Sequence, residues 1–175
     1  MQLYLIRHPA PRVAAGVCYG RTDLPLAADV ALAAARIQPQ LPQMSPMLPA
    51  YTSPLQRCRQ LADALHPVPN SDPRLQEMDF GAWEMRPWDS IQRAALDGWA
   101  ADPLGYAPPE GESVHQLQQR VQDFVGGVQR AGLPRAVLVT HAGVMKVLVG
   151  QTQALPAKQW MALGFEYESV ICVTI

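Results

Sequence analysis

The chain has 175 residues, 49% hydrophobic and 17% charged, which suits one folded domain with a substantial core and leaves little room for long disordered tails. Fourteen basic residues against fifteen acidic ones give a formal charge of -1, so a broad nucleic-acid-binding face is not expected and any cationic site must be local. Cys18, Cys58 and Cys172 are odd in number and widely spaced, which fits reduced thiols rather than a disulfide framework or a zinc knuckle.

Taken in chain order, apolar segments that read as strands alternate with segments of helical period, the pattern of an α/β sheet covered by helices. Residues 2 to 6 read as a short buried strand that delivers Arg7 and His8 at its end. A Pro-rich loop through Leu26, an Ala-rich helix from about 28 to 37 and a Pro-studded connector follow, and residues 48 to 52 read as a second strand. Ser53-Pro54-Leu55-Gln56 then opens a helix, with Ser53 as the N-cap, Pro54 at the first helical position and Gln56 completing a capping box. Leu55, Cys58, Leu61, Ala62 and Leu65 form its apolar stripe.

Residues 74 to 78 read as a short strand, and the Trp-, Pro- and Gly-rich stretch at about 79 to 110 as a cap or lid with one helix near 88 to 99. From 113 to about 130 apolar residues recur at helical spacing behind a second capping box, Ser113 with Gln116, while Gly126-Gly127 weakens the later half. A strand over 136 to 140 ends in His141, as the first strand ends in His8. A helix from about 142 to 149, a short helix near 157 to 163 and a last strand within 169 to 175 complete the chain.

Two strands thus deliver two histidines to the end of a parallel sheet where ligand crevices open. Arg57 lies one turn into its helix, and side chains on a helix lean toward its N-terminus, so its guanidinium can reach that crevice and grip two oxygens of a phosphate. Ala142-Gly143, after His141, are small enough to let the backbone approach a ligand at a helix N-terminus. Glu77 is a carboxylate beside a cationic pocket, able to hold or release a proton for a leaving oxygen. Together, Arg7, His8, Arg57, Glu77 and His141 form a set for phosphoryl transfer in which one neutral imidazole attacks phosphorus, cations stabilise the equatorial oxygens and the carboxylic acid protonates the departing alkoxide. No metal and no cofactor is expected: His66 and His115 lack carboxylates at zinc spacing, and no Gly-rich loop ends in Gly-Lys-Ser/Thr.

LIRH at 5 to 8, TSPLQR at 52 to 57, LQEMDFGAWE at 75 to 84, EGES at 110 to 113 and VTHAGV at 139 to 144 carry a resemblance to the histidine phosphatase superfamily over nearly the whole chain. The resemblance implies the phosphoglycerate mutase-like fold: one α/β domain over 1 to 175, a three-layer α/β/α sandwich with a mixed, mostly parallel sheet. It implies that His8 is the nucleophile, that Arg7, Arg57 and His141 make the rest of the phosphate pocket, and that Glu77 is the proton donor. Within the superfamily, CYGRTDLPL at 18 to 26 and EMDFGAWEMRPWDSI at 77 to 91 look like the α-ribazole phosphatases, which act on α-ribazole 5'-phosphate in building the cobalamin nucleotide loop. On that reading Trp83, Trp88, Trp99 and Tyr106 could stack on a flat base, and Tyr19 and Arg21 could reach a ribose or phosphate.

The family pattern is broken after His8, where Pro9-Ala10-Pro11 replaces the usual Gly, Glu and Thr and no equivalent of a nearby Asn follows, and again at Glu110, where Gly is frequent. A phosphoglycerate mutase would need longer inserted segments than this chain has, and a phosphate-binding pseudophosphatase would not need both His8 and Glu77. The expected partner is a small phosphomonoester, with neither nucleic acid nor membrane. The first residues lack a signal-peptide pattern and no apolar run reaches the roughly 20 residues of a membrane span, so a cytoplasmic location is expected.

Overall fold

The computed structural model describes residues 1–43 and 48–175. Its strands are β1 (Gln2–Arg7), β2 (Ala50–Thr52), β3 (Asn70–Ser71), β4 (Arg135–Thr140) and β5 (Val170–Thr174). Its helices are α1 (Val30–Ile37), α2 (Gln56–Leu65), α3 (Arg93–Ala101), α4 (Val114–Arg130), α5 (Ala142–Thr152) and α6 (Ala157–Trp160). The sheet runs β3-β2-β4-β1-β5, all neighbours parallel except β5, which lies antiparallel on β1.

Alternation along the central strands assigns each face its helices. Leu3, Leu5, Ala136 and Leu138 pack with Val121, Phe124 and Val128 of α4 and with α5. Ile6, Val137 and Val139 point the other way, onto Ala33 and Ile37 of α1 and Leu61 and Leu65 of α2. The sheet therefore sits between two helical layers, the expected α/β/α sandwich, and truncating a core side chain such as Leu138 to Ala should cost about 2–5 kcal/mol. Among the described residues no helix is long and apolar enough to cross a membrane.

Register is what positions the site. Arg7 pairs with Thr140, and Thr52 with Val139, so β1, β4 and β2 end level with one another. His8, Ser53 and His141 are the next residues out, and the His8 and Ser53 N–H groups continue the ladder to the Thr140 and Val139 carbonyls at 3.1 Å each.

Several elements differ from their sequence reading. No capping box forms at Ser53: α2 starts at Gln56 behind Leu55, and the Asp23 carboxylate accepts the Gln56 N–H at 2.7 Å. Residues 74 to 78 form no strand, because Asp72 caps a 3₁₀ turn over Pro73–Leu75 and the parallel edge is supplied earlier by β3. The expected helix near 88 to 99 is split into a 3₁₀ turn at Trp88–Ser90 and α3. Across Gly126-Gly127, by contrast, α4 runs on to Arg130 as expected, its buried stripe continuing to Val128. The capping box at Ser113 and Gln116 is formed as expected. The Pro-studded connector after α1 lies partly outside the described residues.

In the segment from 79 to 110, Trp83, Trp88, Trp99 and Tyr106 pack on one another rather than standing free. Trp88 and Trp99 stack with centroids 6.0 Å apart, Trp83 stacks on Tyr106, and Cys18 and Ile91 fill the centre. These rings form a small separate core within that segment.

Candidate active site

His8 is only 2% exposed, and its surroundings fix its tautomer. Nδ1 lies 2.7 Å from the Pro9 carbonyl, which can only accept, so Nδ1 carries the proton and Nε2 the lone pair. Arg57 Nε–H points at that Nε2 from 3.3 Å. Burial, and then the Arg57 and Arg7 cations, lower the His8 pKa to about 3 against the opposing pull of the Pro9 hydrogen bond. The imidazole is thus neutral, and its lone pair faces the cationic pocket with only the long Arg57 bond upon it. Pro9 supplies a carbonyl here, a role unaffected by its missing N–H.

Arg57 is fully buried, with Nη2 donating to the Gly20 carbonyl at 2.6 Å and Nη1 to the Thr22 carbonyl at 2.7 Å. Arg7 donates through Nη1 to the Phe165 carbonyl at 2.5 Å, while its buried Nε has no partner among the described residues. Neither guanidinium pairs with a carboxylate among the described residues. Buried cations are normally paired. Arg57, buried without a carboxylate partner among the described residues, and the half-buried Arg7 both act on His8 electrostatically, and together they make a receptor for an anion.

His141 packs edge-on to His8 with ring centroids 4.9 Å apart. Its Nε2 lies 2.8 Å from Ser53 Oγ, which also accepts the Leu55 N–H, and 3.4 Å from Cys58 Sγ. The hydroxyl expected to cap α2 is therefore spent on orienting His141. Complete burial, then His8 and the pocket arginines, hold the His141 pKa well below the usual imidazole range. Burial also pushes the Cys58 thiol up, so it stays protonated.

Glu77 reaches the site from irregular chain. Its carboxylate sits at the N-terminus of α5, where both oxygens share the Gly143 N–H at 3.1 Å and Oε1 also takes the Met78 N–H. A Cβ at position 143 would run into this carboxylate, so glycine is required there for the approach. Oε2 has only that shared bond. The segment is clamped by Arg120 of α4, whose guanidinium donates to the carbonyls of Arg74 and Gln76 at 2.7 Å and of Glu77 at 3.0 Å while pairing with Glu112 at 2.6 Å. Glu112 in turn accepts the Asp79 N–H, which gives the EGES motif its structural task.

The structure thus gathers Arg7, His8, Arg57 and His141 in one pocket and sets Glu77 and Ala142 at its α5 side. Tyr19 lies at the rim with its ring 5.7 Å from the Arg57 guanidinium carbon. Arg21 turns to Asp79 at 3.2 Å and Glu112, so its charge is spent on an acidic pair. Tyr167, absent from the sequence reading, stacks over Arg7 at 3.9 Å, meets the His8 ring at 5.7 Å and shares a 2.5 Å hydrogen bond with the Tyr19 hydroxyl. Arg120 was hidden as one more helix arginine. Only its distance of three residues from Leu117, on the buried stripe, hinted that it faces inward.

A neutral imidazole, two guanidiniums without a carboxylate partner among the described residues and a carboxylate, gathered at the carboxyl end of the parallel strands, are the groups that phosphoryl transfer uses. The chain belongs to the histidine phosphatase superfamily, branch 1, whose profile matches residues 3–175. An adenosylcobalamin/α-ribazole phosphatase of Escherichia coli K12 is 31% identical over 173 residues, spanning 90% of this chain and 82% of that protein. The α-ribazole phosphatase of Shigella flexneri superposes with a TM-score of 0.85 at 28% identity, covering 100% of this chain and 91% of the other. A mycobacterial glucosyl-3-phosphoglycerate phosphatase gives 0.82 at 25% identity, with 98% and 88% covered.

Proposed function

We propose that this chain is a metal-independent phosphomonoesterase working through a phosphohistidine on His8, with α-ribazole 5'-phosphate among its substrates. The observation that carries the reading is the neutral His8, its Nε2 lone pair turned toward the buried Arg57, a guanidinium with no carboxylate partner among the described residues. The phosphate of the ester takes the place of that missing anion, displacing the long Arg57–His8 bond. His8 Nε2 attacks phosphorus, the bond from phosphorus to the leaving oxygen breaks, and Glu77 Oε2 gives that oxygen its proton. Arg7 and Arg57 stabilise charge on the equatorial oxygens. Water then attacks the phosphohistidine, its proton passing to Glu77 as the P–N bond breaks, so phosphate leaves and the acid is restored.

The names of the relatives from Escherichia coli and Shigella flexneri support α-ribazole 5'-phosphate as a substrate. A screen of small phosphomonoesters that includes it, run with and without a chelator, tests both levels. Turnover of α-ribazole phosphate that survives EDTA and falls with vanadate is expected. Activity lost in EDTA and restored by a divalent ion would reject the metal-independent mechanism. Turnover of other esters alone would reject the substrate.

A further inference from the structure

Against the α5 side of the phosphate pocket lies a cavity of about 130 Å³, bounded by Glu77 and Gly143 at one end and by Phe80, Leu117, Trp160 and Met161 beyond them. Its lining is apolar except for Glu77 and Lys146. The leaving oxygen of a bound ester must lie near Glu77 to receive its proton, so a small group attached to that oxygen can enter this space, while a larger one stays outside it. An apolar cavity of about 150 Å³ holds a benzene ring, which limits the occupant to roughly one ring.

Lys146, one turn along α5 from Ala142, is half-buried in this wall. Its Nζ donates to the Met161 carbonyl at 2.8 Å, which uses one of three N–H groups, and it pairs with no carboxylate among the described residues. Burial lowers its pKa, with Glu77 opposing and Arg7 adding to the effect, so the amine stands within electrostatic reach of both the acid and the phosphate pocket. A cation so placed among Met78, Phe80, Val147 and Trp160 lacks its counter-charge.

We infer that this cavity is a leaving-group subsite for phosphate esters carrying a carboxylate on a body of about one ring, and that Lys146 is the specificity residue that reads the carboxylate. The inference rests on the phosphomonoesterase reading and is independent of α-ribazole, whose two-ring base and ribose exceed the cavity.

The test compares kcat/KM for phenyl phosphate with that for its 3- and 4-carboxyl derivatives in the wild type, Lys146→Met and Lys146→Arg. The wild type should favour at least one carboxylated isomer. That preference should fall on the order of 10-fold in Lys146→Met, the scale of one charge-assisted hydrogen bond, and return in part in Lys146→Arg. Phosphorylation of His8 by all three esters, with the same preference in wild type and Lys146→Met, would overturn the assignment of Lys146 and leave the phosphatase reading standing. Failure of every ester to phosphorylate His8 would overturn both.

Discussion

His8, Ser53 and His141 follow directly on paired residues of β1, β2 and β4, whereas Glu77 stands on irregular chain after a 3₁₀ turn, held from outside by Arg120. The histidine pocket inherits its geometry from strand register, so changing one of its side chains should alter chemistry while the ladder keeps the others in place. Glu77 has no such scaffold. Its position depends on one guanidinium bridging three carbonyls and a carboxylate, which makes it sensitive to substitutions far from phosphorus.

Removing the acid itself should have the largest effect. Glu77→Gln should slow phosphorylation of the enzyme by esters with poor leaving groups about 10²- to 10⁴-fold, the range for general acid catalysis. Phosphorylation by p-nitrophenyl phosphate should slow far less, because its phenolate leaves unaided. Single-turnover rates isolate this step from dephosphorylation, and equal losses on both substrates would take Glu77 out of the acid role.

Loosening the support should give a weaker copy of the same pattern. Arg120→Met should lower kcat with poor leaving groups by about 10- to 10²-fold, as expected when a catalytic group is displaced by about 1 Å. It too should spare p-nitrophenyl phosphate. A uniform loss on both substrates would mean that Arg120 only holds the fold.

The smallest effect sharpens the pocket side of the comparison. Unfolded His8 binds a proton below about 6.5, while folded His8 resists until about 3, so acid favours the unfolded chain. Stability is free of this penalty above pH 6.5 and falls as the pH drops toward 3. Denaturant unfolding between pH 6 and pH 4 should show a slope that is shallower in His8→Ala by about 1.4 kcal/mol per pH unit. An unchanged slope would mean that His8 is protonated in the folded pocket.

The pocket was legible in the sequence because its parts sit at strand ends and one turn into a helix, positions that local pattern reveals. His8, Arg57 and His141 needed only that. Tyr167 was not legible, since it meets Arg7 across 160 positions of chain through the turn that leads into β5. Arg120 and Lys146 look like ordinary helix cations until tertiary packing buries them. Ser53 carries a capping signature, yet a hydroxyl holding His141 leaves the helix start to Asp23. Trp83, Trp88 and Trp99 read as a stacking platform because aromatic residues announce burial without naming what buries them. The unusual Glu110 has a physical reading: its φ of 63° lies in the left-handed region, which glycine enters without strain.

The central claim is that His8 Nε2 is the nucleophile, and trapping the intermediate tests it most directly. Enzyme mixed with a ³²P-labelled ester and quenched in alkali, where phosphohistidine survives, should carry its label on the peptide containing His8, and His8→Ala should carry none. Label on His141 or Ser53, or turnover with no labelled protein, would contradict the account.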